Sequence, residues 1–555
     1  VEQLARIKTV RGIVEWIGAR STPTPSPLHE PELPALTGAA RPDGDGLPTI
    51  PLRRFVVENI PLPAPPPLAD LLAAAGRGGD KPLDGTRFAV IDGGLGIGLE
   101  LAALLEQHGA AVHTTSADAQ AVAGHLATGA GADGIVYLAA IDRGAAAALP
   151  VSFPLLKAAA LAGSRRLLVA TGTGGAFGRP SGEVAGPGVG LGGLVRTLAQ
   201  EVPGLAVRLV DVDPKDAPDQ LAGQLLTELL GSAGPFALGA PTVVGYRRGA
   251  RSTPRVIERA AGAEAGDLTA RLGPDSVVLL TGGARGITAR VALSLAARTG
   301  CAVELVGRTP LPTGTPDAGI AGATDAHALR RVLIAAGLRK PAEIEAKIGR
   351  ILAEREITAT MAALAATSAG VRYHAVDVRD GGALGAVVAD IYRRHGRLDG
   401  VVHGAGILED KLLADKTPES FARVFATKVD GAHALVEALR PDLGFLVLFG
   451  SVSGVYGNRG QVDYAAANDA LDALAREWSG RFAGRVVAVD WGPWAADGPA
   501  GGGMVSAELE REYARRGIAL IRPDEGVAAL LGEIAGPARD SQVVYMCASA
   551  EAFGG

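Results

Sequence analysis

The hydrophobic positions of the chain follow two alternating patterns. Short unbroken apolar runs, stopped by glycine, aspartate or a small polar residue, give way to stretches whose apolar positions recur at helical spacing. An unbroken run fits a strand buried on both faces. Its alternation with amphipathic helices predicts a parallel sheet covered on both sides. The run Phe88 to Ile91 leads into Gly93-Gly94-Leu95-Gly96-Ile97-Gly98 and then a helix. A near-copy follows later, where Val277 to Leu280 leads into Thr281-Gly282-Gly283-Ala284-Arg285-Gly286-Ile287-Thr288, again before a helix. Further along, Ala132-Asp133-Gly134-Ile135-Val136 matches Leu398-Asp399-Gly400-Val401-Val402, and Leu168-Val169-Ala170 matches Leu446-Val447-Leu448. Leu198-Ala199-Gln200-Glu201 with a strand to Asp211 matches Leu474-Ala475-Arg476-Glu477 with a strand to Asp490. The shared order predicts two tandem copies of one doubly wound α/β fold, roughly Arg53 to Glu258 and Arg259 to Gly555.

Three stretches break this rhythm. Leu4 to Gly18 has helical spacing and is followed by a tract rich in Pro, Ser and Thr from Ser21 to Pro48, which reads as a linker. The helix is either the tail of a preceding domain or packs on this chain's own surface. A second proline-rich patch, Pro61 to Pro67, precedes a helix at Leu68 to Ala75. Between Thr309 and Gly370 the second half carries an insert with helical spacing at Ala328 to Ala336 and Ile344 to Thr367. It falls after the second strand and reads as a surface elaboration rather than a catalytic part.

Composition narrows the function. The 555 residues exceed what one hydrophobic core usually serves. A net charge of -5 and a pI near 6.1 offer no basic face for nucleic acid. Two cysteines, Cys301 and Cys547, indicate no disulfide framework and fit a reducing cytoplasm. No apolar run is long and clean enough to span a membrane, no signal peptide opens the chain, and no metal site is expected. The first residue is Val1, so the chain reads as a piece of a longer polypeptide.

The second half carries the chemistry. Glycines at the strand-to-helix turn Thr281, Gly282, Gly283, Arg285, Gly286 and Ile287 let the backbone approach a pyrophosphate, which then meets the helix N-terminus. Thr288 stands where a third glycine is often seen. The next strand, Val303 to Val306, ends in Gly307-Arg308, where an arginine suits a 2′-phosphate; Arg285 adds a second positive charge. These point to NADPH. Asp377, beside Val378 at the end of the strand Tyr373 to Val376, is placed to meet the adenine, and His403-Gly404-Ala405-Gly406 would line the cofactor's other face. Lys428, Ser451, Tyr464 and Asn468 complete the set; Tyr464 and Asn468 are i, i+4 on one helix face. Reducing a carbonyl with a nicotinamide hydride leaves an alkoxide that needs a proton. A tyrosine whose pKa a nearby lysine lowers can supply it, a serine hydroxyl holds the substrate oxygen, and an asparagine holds a water that refills the relay.

These residues resemble the short-chain dehydrogenase/reductase superfamily, and within it the ketoreductase domains of polyketide synthases. Ser451 to Asn468 (SVSGVYGNRGQVDYAAAN) is similar to their active-site block, including Gln461, and Trp491-Gly492-Pro493-Trp494 to the block that follows. Met504 and the helical segment to Arg516 look like the substrate lid. The resemblance implies two Rossmann-like subdomains: a degenerate structural one, 53–258, and a catalytic one, 259–555. It also implies reduction of a 3-ketoacyl thioester carried by an acyl carrier domain, beside other synthase domains. The insert, with Arg339-Lys340-Pro341-Ala342-Glu343-Ile344 and Arg355 to Thr360, is similar to polyunsaturated fatty acid synthases and related iterative synthases. There carrier domains precede the reductase, which makes residues 1–20 look like the last carrier helix and 21–52 the linker.

The first half reads as catalytically dead. Aligned on Thr173 opposite Ser451, Pro150 falls opposite Lys428, Gly186 to Gly190 offers no tyrosine, and Asp92 replaces Thr281. Asp410, in Leu408-Glu409-Asp410, is similar to the marker of 3R-producing ketoreductases, Leu-Asp-Asp, with Glu in the middle; Tyr456 stands where the opposite class has tryptophan. The rivals are a non-catalytic scaffold and an extended short-chain nucleotide-sugar enzyme. The intact tetrad opposes the first, and the absence of a Tyr-x-x-x-Lys pattern, with Asn468 in the lysine's place, opposes the second.

Overall fold

The computed structural model describes residues 50–75, 79–116, 132–142, 147–179, 186–232, 241–260, 266–312, 317–496 and 507–553. The expected helix at Leu4 to Gly18 and the tract to Pro48 lie outside them. The strands are β1 Arg53–Pro61, β2 Arg87–Asp92, β3 Ala111–Ser116, β4 Gly134–Tyr137, β5 Arg166–Thr171, β6 Ala206–Asp211, β7 Val243–Arg247, β8 Ala250–Glu258, β9 Val277–Thr281, β10 Ala302–Gly307, β11 Val371–Ala375, β12 Gly400–His403, β13 Phe445–Ser451, β14 Arg485–Trp491 and β15 Gln542–Met546. They form one continuous sheet in the order β11-β10-β9-β12-β13-β14-β15-β1-β8-β7-β6-β5-β4-β2-β3. Among the described residues no helix is long and apolar enough to cross a membrane.

The internal repeat is plain in this order. In the second half β9 lies between β10 and β12, all parallel, and the sheet then grows through β13 and β14 to β15. In the first half β2 lies between β3 and β4, and the sheet grows through β5 and β6 to β7. No counterpart of β11 stands among the described residues of the first half. The unbroken apolar runs behave as expected: β4, β5, β9, β12 and β14 are buried along their whole length. At β9 the chain moves to the opposite side of its starting strand. The crevice beyond the strand ends at such a switch point is where open α/β sheets bind ligands.

Two sheets were expected, and one is found, because the inner edge of each half is closed by the other. β1 pairs antiparallel with β15 (Phe55 opposite Val544) and with β8 (Val57 opposite Val256), and β8 pairs antiparallel with β7. Neither half leaves an unpaired inner edge to recruit other chains. A buried charge cluster pins each side of this seam. Glu533, on the helix Pro523–Ala535, accepts from Arg54 Nε of β1 (2.9 Å), Arg485 Nη2 of β14 (2.7 Å) and the Tyr545 hydroxyl of β15 (2.7 Å). In the first half Glu228, on the helix Pro218–Gly231, accepts from Arg208 of β6, Tyr246 of β7 (2.7 Å) and Arg251 of β8 (2.6 Å). The cluster is thus repeated, although Arg208 lies three residues before Asp211 and Arg485 five before Asp490, one side-chain period apart on the same face.

Among its described residues the insert forms three helices, Ala318–Gly322, Ala326–Ala335 and Pro341–Ala365. The last packs Ile357 and Leu364 into the core that holds Val291 and Leu295.

Burial alone would push the Glu533 carboxyl up, but hydrogen bonds and the charges of Arg54 and Arg485 outweigh it and hold it at about 2. A carboxylate held below its usual 4.5 contributes stability that is complete above about pH 4.5 and is lost as pH falls towards 2. Glu533→Gln is therefore expected to lower unfolding free energy at neutral pH by about 3–5 kcal/mol, since it leaves two buried arginines undercompensated. Urea titrations from pH 7 to acid should show the deficit shrinking below about pH 4.5. A deficit that stays constant across that range would contradict this assignment.

Candidate active site

The tetrad residues come from three neighbouring elements. β13 is apolar and buried up to Ser451, which caps the short helix Val452–Tyr456 by accepting from Ser453 N. The Ser453 hydroxyl also donates to Ser451 Oγ (2.8 Å), so the proton of Ser451 is free to point elsewhere. Lys428 lies on the helix Pro418–Ala438 and is 4% exposed; its Nζ donates to Phe449 O (2.6 Å) and lies 5.4 Å from the Tyr464 ring centroid. Tyr464 and Asn468 share a face of the helix Val462–Glu477, and Asn468 Nδ2 donates to the Tyr464 carbonyl (2.8 Å). Asn468 Oδ1 is buried without a protein partner. Behind Ser451, at the end of β14, Asp490 accepts from Gln542 Nε2 (2.9 Å), and burial pushes its carboxyl up to about 7.

One electrostatic expectation changes. Burial pushes the Tyr464 phenol up rather than down, against the smaller pull of the Asn468 and Ser451 side chains. The Lys428 ammonium donates to the Phe449 carbonyl (2.6 Å). Burial also lowers Lys428 itself, to about 8.

The glycine turn meets the tetrad through one histidine. His403 Nε2 faces the Lys428 carbonyl (2.9 Å), which can only accept, so that nitrogen carries the proton and Nδ1 accepts from the Thr281 hydroxyl (2.7 Å). Burial first, then the Lys428 charge, holds the ring at about 4, so it is neutral at pH 7 and ties β9, β12 and the lysine helix together. Gly282 has φ +82°, and a Cβ there would stand 2.6 Å from the backbone of Gly404. A side chain at Gly404 would strike Thr288 Oγ1 at 2.6 Å, and one at Gly406 would press on Lys428 Cε at 3.2 Å. The crevice is thus bare backbone where a dinucleotide has to pass closely, and the residues fit one. The helix Gly286–Thr299 opens on this turn.

A single cleft of about 740 Å³ brings together Gly282, Arg285, Gly286, Ile287, Gly404, Gly406, Asp410, Lys428, Ser451, Gln461, Tyr464 and Trp491. Thr281, Ala405 and Asn468 are buried, and Gly283 packs against Val306 O. Other expected residues stand apart. Arg308 is exposed past the end of β10, beside Asp377, whose carboxylate is held by Arg379 (2.7 Å); Val378 is buried. Tyr456 does not line the cleft, but stacks on Phe553, which does (5.4 Å between centroids). Met504 lies outside the described residues, whereas Leu509 and Tyr513, on the helix Ala507–Arg515, line the cleft.

Several contributors escaped sequence reasoning. Glu409, the middle of Leu408-Glu409-Asp410, turns away from the cleft to Arg423 (2.7 Å) and Ser420 (2.7 Å), while Leu408 and Asp410 face it. Asp410 accepts from Gln461 Nε2 (2.9 Å). Lys416, fully buried, pairs with Asp463 (2.7 Å) beside Tyr464. The first half also reaches in. Glu201 accepts from Gly460 N (2.7 Å) with one oxygen and Leu413 N (2.6 Å) with the other, and Gln200 donates to Tyr456 O (2.9 Å). Lys157 donates to the carbonyls of Ala414 and Lys416 (2.8 Å each). None of these carries a motif, because each acts on backbone of the other half. With Asp211 aligned on Asp490, the ladder sets Thr171 of the first half against Gly450 of the second, and so Gly172, not Thr173, opposite Ser451. Thr173 is bound to Asp211 (2.7 Å).

The KR domain family model matches residues 276–496. The A subunit of a polyunsaturated fatty acid synthase from Thraustochytrium sp. is 32% identical over 293 residues, which is 50% of this chain and 10% of that protein. The polyketide synthase GfsA of Streptomyces halstedii is 34% identical over 321 residues, 58% of this chain and 4% of that one. The chain therefore spans a tenth or less of these relatives. Among solved structures, the first ketoreductase of the tylosin polyketide synthase superposes with a TM-score of 0.62 at 25% identity, covering 90% of this chain and 93% of that one. A C2-type ketoreductase from a modular polyketide synthase superposes at 0.66 and 22% identity, covering 90% and 95%, and shares the fold.

Glu201 holds both loops that carry Asp410 and Gln461, through two charge-assisted bonds worth about 1.5–3 kcal/mol each. Glu201→Ala is expected to speed hydrogen exchange in residues 407–417 and 456–461 while leaving β4 and β5 protected. Unchanged exchange in both loops would show that they are held from within their own half.

Proposed function

The chain carries a ketoreductase region of the polyketide-synthase kind, and we propose that it reduces a 3-ketoacyl thioester on an acyl carrier domain to the 3-hydroxyacyl thioester, with NADPH, inside a cytoplasmic multidomain synthase. The observation that carries this reading is the single cleft holding the glycine turn, Ser451, Tyr464 and Lys428. Residues 259–555 are the catalytic half and 53–258 the scaffold.

NADPH, when bound, supplies the hydride. Gly282, Gly283, Gly286 and Ile287 offer it bare backbone, Arg285 and Arg308 supply positive charge for its phosphates, Thr281 fixes the turn, and Asp377 with Val378 borders the adenine. Gly404, Ala405 and Gly406 form the opposite wall. Ser451 points its free hydroxyl proton at the substrate oxygen, since its own oxygen already accepts from Ser453. Tyr464, buried and protonated at neutral pH, donates the proton that the new alkoxide needs. Lys428, with its pKa near 8, is largely a cation at neutral pH and stabilises the phenolate left behind. The unpartnered Asn468 Oδ1 is an acceptor for a water that returns a proton.

Trp491 and Trp494 form an apolar wall (4.9 Å between centroids) on one side of the cleft, Asp410 and Gln461 a polar rim on another. Asp410, kept from the marker of 3R-producing ketoreductases and facing the cleft, and Tyr456 in place of the opposite class's tryptophan support a 3R product. The departure at Glu409 is harmless to it, because that side chain serves Arg423 and not the substrate.

The test is reduction of a 3-ketoacyl thioester with NADPH, the product resolved by chiral chromatography. Predominantly 3R alcohol is expected from the native protein. Tyr464→Phe should lose roughly 10²-fold or more in turnover with cofactor affinity nearly unchanged. Full activity in that variant would remove Tyr464 as the proton donor, and a 3S product would show that Asp410 does not set the entry side.

A further inference from the structure

The helix Gly286–Thr299 begins without any cap of its own. Arg285 at the cap position makes no side-chain bond to the turn, and the first turn holds no acid. The anion comes instead from the insert, seventy residues on. Glu356, on the helix Pro341–Ala365, accepts from Gly286 N (2.7 Å) with one oxygen and from Arg285 Nε (2.9 Å) with the other. Its neighbour Ile357 is 1% exposed and locked into the core beside Val291 and Leu295, so the carboxylate is delivered from a fixed element. The pair itself is open to solvent, with the Arg285 and Glu356 side chains 49% and 43% exposed. Each partner can therefore be exchanged without unpacking the core.

The Gly286 amide and the Arg285 guanidinium are groups that the proposed cofactor site offers to phosphate. One N–H cannot serve two anions at full strength. We propose that Glu356 is a resident competitor, seated on the phosphate position and displaced when NADPH enters. The insert then sets cofactor affinity rather than decorating the surface. This inference rests on the NADPH reading above. The extra helices neutralise an exposed positive turn when no cofactor is bound, and they weaken binding by the strength of the bonds that must be broken.

The experiment is a fluorescence titration of NADPH into the full chain and into Glu356→Gln, with thermal melts of each alone and at saturation. Glutamine keeps an oxygen for Gly286 and removes the charge. Tightening of NADPH binding by about tenfold is expected, the equivalent of one charge-assisted bond no longer competed for, together with a larger cofactor-induced rise in Tm. Glu354→Gln, which removes the charge paired with Arg350 on the same helix, should leave affinity unchanged. Equal or weaker binding by Glu356→Gln, with normal binding by the native chain, would overturn the competitor role and leave the ketoreductase reading standing. Failure of the native chain to bind NADPH at all would overturn both.

Discussion

Two helices from opposite halves touch backbone to backbone, and the site depends on that contact. On the helix Leu191–Glu201, a Cβ at Gly193 would lie 2.2 Å from Ala465 O. One at Gly190, just before that helix, would lie 2.7 Å from Ala466 O. Ala465 follows Tyr464 directly. The depth of the proposed proton donor is therefore set by how closely the other half's helix approaches, and no side chain larger than hydrogen fits between them. The same helix then presents Gln200 and Glu201 to the loops on either side of the cleft. A half without a Tyr464 counterpart thus abuts the helix that carries Tyr464.

That rigidity matters because the proposed chemistry is done by desolvated groups. Lys428 and His403 are buried, and burial drives both towards their neutral forms. His403 yields and becomes a neutral strut; Lys428, nearer its crossover, keeps most of its charge at neutral pH. Charges in a water-poor cleft act strongly on a developing alkoxide, provided they need not move when it forms. The seam clusters at Glu228 and Glu533 and the shared sheet hold the surrounding elements still; each buried carboxylate offsets its desolvation by pairing with two arginines, although Arg208 Nε and Arg485 Nε find no partner.

Much of this was legible in the sequence. The unbroken apolar runs disclosed the strands, the two glycine turns disclosed the repeat, and Lys428, Ser451, Tyr464 and Asn468 pointed by their types and spacing to the reaction proposed above. What escaped was contact across the repeat. Nothing in Arg53 to Pro61 signals that this strand pairs with Gln542 to Met546 at the far end of the chain, so two sheets were expected where one exists. Glu356 stood only within the stretch Arg355 to Thr360 that resembles polyunsaturated fatty acid synthases, since helical spacing reveals which face is buried but not what lies beyond it. Glu409 looked like a departure from a stereochemical marker until its partner Arg423 was seen. Each miss involves a residue whose partner is distant in sequence and whose bond is to backbone or to a single charge, a pairing that leaves no local pattern.

The division of labour between a reducing half and a positioning half is tested most directly by counting cofactors. Isothermal titration of the full chain with NADPH should show one molecule bound per chain. The same titration of a Gly282→Asp variant, which blocks the second half's turn with bulk and charge, should show none. Two molecules bound per chain, or a site that survives Gly282→Asp, would mean that the first half's turn at Gly93 to Gly98 is a working nucleotide site and not part of a scaffold.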